Sequence, residues 1–87
     1  MEGYIKQLLN ESDINNGIAI ALEAERLANK YGDFLSCEHL RDILGVGINN
    51  VRELMRSKTF PTIKIGNRSV VSTLSFVKWS YRAINKN

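Results

Sequence analysis

The chain has 87 residues, 44% of them hydrophobic and 24% charged, with a formal net charge of +3. A chain this short holds one modest core, burying roughly 60–65% of its unfolded surface, and has no room for a deep substrate cavity. Its single cysteine, Cys37, excludes an internal disulfide, and no apolar run approaches the stretch of about 20 residues that spans a bilayer.

The charge is unevenly spread. Residues 1–33 carry three basic and six acidic side chains, net −3, whereas residues 34–87 carry nine and three, net +6. A basic C-terminal part suits a polyanion and an acidic arm does not. Two solvated faces would give the same totals. The chain therefore divides into an acidic helical N-terminal extension, 1–33, and a basic domain, 34–87. The opening Met1-Glu2-Gly3-Tyr4 has neither the basic flank and apolar stretch of a secretory leader nor a myristoylation pattern, and the lone thiol fits a reducing compartment. A cytoplasmic protein without a membrane segment is expected.

In chain order, Tyr4, Ile5, Leu8 and Leu9 fall at helical spacing, and Asn10-Glu11-Ser12-Asp13 interrupts them. A longer helix is expected from Asn15 or Asn16, either of which can cap it. Along it Ile18, Ala21, Leu22, Glu25 and Ala28 take neighbouring positions, with Leu27 and Tyr31 beside them, and Gly32 is a natural stop. Ser36 is a good N-cap and Glu38 suits the first turn of the next helix, whose apolar stripe is Cys37, Leu40, Ile43 and Leu44. Gly45 to Gly47 lets the chain turn sharply. A second short helix, Ile48 to Ser57, is expected to bury Ile48, Val51, Leu54 and Met55 and to expose Asn49, Asn50, Arg52, Glu53 and Arg56.

Pro61 forces the preceding residue out of helix and marks the start of a strand. Ile63 and Ile65 alternate with Thr62 and Lys64, and Gly66-Asn67 is a two-residue hairpin signal whose residues suit positive φ. Arg68 to Val71 returns as the second strand. Ser72 or Thr73 caps a final helix in which Phe76, Trp79 and Ala83 share a face. Helix, turn, helix, hairpin, helix predicts a mainly α fold with a small β-hairpin, a winged helix-turn-helix carrying an N-terminal helical extension.

The residues at these positions resemble the excisionase family of small DNA-binding proteins, which share the winged fold of MerR-type regulators. The family's opening Phe-Leu-Ser/Thr is here Phe34-Leu35-Ser36, and its Leu-Gly-Val turn is Leu44-Gly45-Val46. The second-helix pattern falls on Val51, Leu54, Met55, Arg56 and Ser57, and the approach to the wing on Phe60-Pro61. The wing itself reads Ile63-Lys64-Ile65-Gly66-Asn67-Arg68, and the closing tryptophan is Trp79. The match spans Phe34 to Trp79, about half the chain, and most matched positions are core or turn. Two departures thin the DNA-facing set. Gly47 stands where the family has a capping Ser, and Ser69-Val70 follows the wing arginine where an aromatic and a second basic residue are usual.

Such a fold presents Asn49, Asn50, Arg52 and Arg56 to a major groove, where Asn reads adenine edges and Arg reads guanine or holds phosphate. Lys64, Asn67 and Arg68 lie on the wing, which contacts phosphate or the minor groove, and Lys58 is placed to hold phosphate. The bland alternatives are a solvated polar helix face, an Asn67 that the turn needs anyway, and a Lys58 that is merely solvated. Trp79 and Phe76 follow the apolar face and are expected in the core; Cys37 is expected there as a small apolar residue. His39 has no Cys/His cluster around it, so no metal site is expected. No nucleophile with its base and no phosphate loop can be assembled, so no enzyme and no cofactor are expected.

The resemblance implies a DNA-binding accessory protein of a mobile genetic element, several copies of which bend a recombination site and bias a recombinase toward excision. Duplex DNA is the favoured ligand. An alternative is an adaptor that docks on a replication or priming enzyme of the same element and meets single-stranded DNA. A small transcriptional regulator is a third reading. Tyr4, Ile5, Leu8 and Leu9 are the candidates for protein contact, with a partner or a second copy.

Overall fold

In the computed structural model, which describes residues 11–85 and the side chains of residues 17–83, α1 spans Glu11–Tyr31. It is followed by β1 (Phe34–Leu35), α2 (Cys37–Leu44), α3 (Ile48–Arg56), β2 (Thr62–Ile65), β3 (Arg68–Ser72) and α4 (Thr73–Asn85). The protein is mainly helical, with a small three-stranded antiparallel sheet in the order β1-β3-β2. Residues 1–10, including Tyr4, Ile5, Leu8 and Leu9, lie outside the described residues.

The start of α1 differs from expectation. Glu11, Ser12 and Asp13 are helical, and Asn15 and Asn16 lie inside the helix rather than capping it. Polar residues of this kind cost a helix only a few tenths of a kcal/mol each, and acidic ones suit its first turn. One seam of α1 is docked, and it runs beside the Ile18–Leu22 row rather than along it. Leu27 is buried, and Ile20, Ala24 and Tyr31 pack half-buried against the core, whereas Ile18 and Leu22 are 56% and 64% exposed. Apolar residues occur on several sides of this helix, and the seam that meets α4 is the one that is covered.

Gly32 ends α1 with φ +102, its N–H donating to the Ala28 carbonyl at 2.8 Å. Thr73, almost fully buried at the start of α4, fastens this corner. Its hydroxyl donates to the Gly32 carbonyl at 2.7 Å and its N–H to the Asp33 carbonyl at 2.8 Å. Tyr31 Oη donates to Asp42 Oδ2 at 3.0 Å, joining the end of α1 to α2. Leu27 of α1 thus shares one core with Leu35, Leu40, Val51, Met55, Phe60, Val71, Phe76 and Val77.

The two-residue strand β1 was not legible in the sequence. Leu35 pairs with Val71 and Phe34 with Ser72. The hairpin has the expected register: Thr62 faces Val71, Ile63 faces Val70, Lys64 faces Ser69 and Ile65 faces Arg68. At its turn only Gly66 takes positive φ, at 61°; Asn67 does not. That signature belongs to a type II′ turn, which asks only its first residue to leave the L-residue region.

Candidate nucleic-acid interface

Ser36 caps α2 as its side chain predicts. Its hydroxyl accepts the His39 N–H at 3.3 Å, and the Ser36 N–H donates back to His39 Nδ1 at 3.2 Å. An imidazole thus fills the place usually taken by Glu or Gln in a capping box. Gly45 ends α2 in the left-handed region, φ 68 and ψ 31, with its N–H on the Arg41 carbonyl at 2.9 Å. The chain then restarts as α3 with Gly47 as N-cap and no side-chain cap bond.

Val51 and Met55 of α3 are buried, while Ile48 and Leu54 are half-buried against them. Asn49, Asn50, Arg52, Glu53 and Arg56 are all exposed. At 3.6 residues per turn Arg52, Arg56 and Asn49 fall within an arc of about 60°, with Glu53 on its margin and Asn50 well to the side. The structure therefore brings three of the four expected side chains onto one strip of α3 and sets Asn50 apart. Lys58 is exposed in the loop that follows.

The hairpin is anchored beside the C-terminal end of α3. Thr62 Oγ1 donates to the Met55 carbonyl at 2.7 Å. Lys64, Asn67 and Arg68 are exposed. Strand alternation places Lys64 with Thr62 and Val71 on the face toward the helices, and Arg68 with Ile63, Ile65 and Val70 on the outer face. The two hairpin cations thus leave opposite faces of the hairpin, and Asn67 sits at its tip. A cleft of about 270 Å³ joins the hairpin to the start of α2, lined by Ser36, Cys37, Glu38, Asn67, Arg68 and Ser69. Cys37 is half-buried: it packs against the core and also lines this cleft.

Among the described residues the ion pair is that of Arg26 with Glu23 on α1, so none of Arg52, Arg56, Lys58, Lys64 and Arg68 is neutralised by an acid. The Arg26 guanidinium, by hydrogen bond and by charge, holds the Glu23 carboxyl below its ordinary value. Two acids accompany this surface: Glu53 on α3, and Glu38, which lines the cleft beside Arg68. The described residues contain no group of three potential metal ligands and no helix long and apolar enough to cross a membrane.

Phe76 is buried as expected, but Trp79 is only half-buried and Ala83 is exposed. Trp79 packs edge-to-face with Phe60 at 4.9 Å and stacks on Phe76 at 6.2 Å, and it also lines a second cleft with Lys78 and Arg82. Lys78 and Arg82 were not singled out in the sequence; their i,i+4 spacing beside the only tryptophan was the available signal. No family model, no characterised protein and no solved structure matches the chain.

Proposed function

We propose that the chain is a small DNA-binding accessory protein of a mobile genetic element, similar to excisionases and acting in the cytoplasm. In this reading α2, the Gly45–Gly47 turn and α3 form a helix-turn-helix, α3 enters the major groove, and the β2–β3 hairpin is the wing. The observation that carries it is the exposed strip of Arg52, Arg56 and Asn49, its arginines unpaired with any acid among the described residues and followed by a hairpin bearing Lys64, Asn67 and Arg68. Arg52 and Arg56 suit guanine or phosphate, and Asn49 suits adenine. Titrating duplexes from the flanking locus at low salt, with gel shift or anisotropy as readout, tests the reading. Absence of binding to every duplex overturns it.

A second reading is favoured by one feature. The acidic helix α1 leaves Ile18 and Leu22 uncovered on the side away from its docked seam. An adaptor for a replication or priming enzyme would use such a face for its protein partner and the basic surface for single-stranded DNA. Copurification from the native operon separates the two: a recombinase supports the first, and a polymerase or helicase the second.

A further inference from the structure

A cleft of about 150 Å³ opens between the α3–β2 loop and α4, lined by Thr59, Pro61, Ser75, Lys78, Trp79 and Arg82. Its volume lies below the roughly 300–1,000 Å³ of small-molecule sites, so a whole cofactor does not fit. What fits is one protruding group of a larger ligand. The lining says which kind. Two cations one helical turn apart, Lys78 and Arg82, are exposed on its rim, and among the described residues no acid lines it and neither cation is engaged in an ion pair. The wall is aromatic and well supported, since Trp79 is held between Phe60 and Phe76. Thr59 and Ser75 add hydroxyls. The Thr59 hydroxyl is hydrogen-bonded to that of Ser57 at 2.9 Å, and among the described residues no hydrogen bond engages the Ser75 hydroxyl.

We propose that this cleft is a second nucleic-acid contact, in which Lys78 and Arg82 hold a backbone phosphate while the adjoining sugar or base lies against Trp79. Cations beside an aromatic face are the elements with which proteins track a strand without reading its sequence. The position supports this. Lys58 immediately precedes Thr59, so the cleft begins where the chain leaves the basic surface of α3. The contact rests on the nucleic-acid reading above, and extends it to a face that neither α3 nor the hairpin supplies. Its sequence-independence suits either a duplex that bends toward α4 or a single strand laid along it.

Trp79 is the only tryptophan, so its emission reports the cleft directly. The experiment titrates the full chain with a single-stranded oligothymidylate, a duplex of the same length, and inorganic phosphate. Anisotropy reads total binding and Trp79 fluorescence reads cleft occupancy. The proposal expects DNA to change the Trp79 emission. The double variant Lys78→Gln/Arg82→Gln should bind about tenfold more weakly or worse, because charge-assisted bonds are lost. Its salt slope on duplex should fall by about one for each cation that neutralises a phosphate. The variant should also lose the Trp79 response, and, since both residues are exposed, it should melt as the wild type does. Arg52→Ala/Arg56→Ala should weaken binding while leaving a Trp79 response at saturation. The stronger response of the two DNAs identifies the strand that occupies the cleft. Wild-type binding of DNA with unchanged emission, or binding by the double variant with wild-type affinity and slope, overturns the cleft alone. A Trp79 response to inorganic phosphate equal to that for DNA also overturns it, by showing a free-anion site. Absence of all nucleic-acid binding overturns the cleft and the proposed function together.

Discussion

Gly47→Ser should stabilise the protein. Gly47 is the N-cap of α3, in ordinary extended backbone at φ −67 and ψ 155, and no side chain caps the helix. A Cβ built there meets nothing within 4 Å. A serine hydroxyl at this position can accept the Asn50 N–H, three residues into the helix, as Ser36 accepts the His39 N–H on α2. Exchanging a Gly cap for Ser is worth a few tenths of a kcal/mol. That net difference already contains the loss of glycine's freedom in the unfolded chain, and for a domain of this size it raises Tm by about 1–3 °C. Gly45→Ser is the matched control two residues earlier. It also meets no atom within 4 Å, but its φ of 68 is left-handed, so it should cost about 1–2 kcal/mol and lower Tm. Thermal melts of the three proteins by far-UV circular dichroism in one buffer make the comparison. If Gly47→Ser melts at or below wild type, or if the two serines shift Tm in the same direction, the account of this turn is wrong.

Arg52→Ala and Arg56→Ala should each weaken duplex binding and lower the salt slope by about one where the side chain neutralises a phosphate; unchanged slopes would move the interface off α3. Glu53→Gln should strengthen duplex binding by about two- to fivefold at low salt and progressively less as salt rises, because it removes an exposed acid beside the Arg52–Arg56 strip. A salt-independent effect, or none, refutes that placement. Thr73→Val removes the bond to the Gly32 carbonyl and should cost about 1–3 kcal/mol in urea denaturation, whereas wild-type stability would show the corner to be held by other contacts. Gly17→Ala, in the exposed interior of α1 where a Cβ meets nothing within 4 Å, should add about 0.5–1 kcal/mol by the same assay, and no gain would argue against helix at that position.

The candidate interface was legible mainly where its residues lie close in sequence. Arg52 and Arg56 are one helical turn apart, so the period of α3 alone placed them on one exposed strip with Asn49. The same period separated Asn50 from them, which the bare sequence of polar residues conceals. For the hairpin, alternation sends Lys64 and Arg68 to opposite faces once the register is fixed. Trp79 was harder to read. Its spacing on α4 marks an apolar face, but how deeply that face is buried depends on the Phe60 loop, which arrives from elsewhere in the chain.

What the sequence determined by itself are the features whose chemistry is local. Ser36 and Gly45 bound α2, Gly32 stops α1, Gly66 turns the hairpin, and Val51 and Met55 set the inward face of α3. Each follows from one backbone conformation or one helical period, decided within a few residues. The tertiary structure alone decided which side of α1 is covered, the existence of β1, and the half-burial of Cys37 and Trp79. Ile18 and Leu22 are as apolar as Ile20 and Leu27, and nothing local prefers one pair over the other. The choice falls to the surface α4 offers and to the Gly32–Thr73 corner that fixes how α1 approaches it. Phe34 and Leu35 become a strand only because the free edge of β3 lies beside them. Docking and edge pairing depend on partners distant along the chain, and those partners are set only once the local elements have come together.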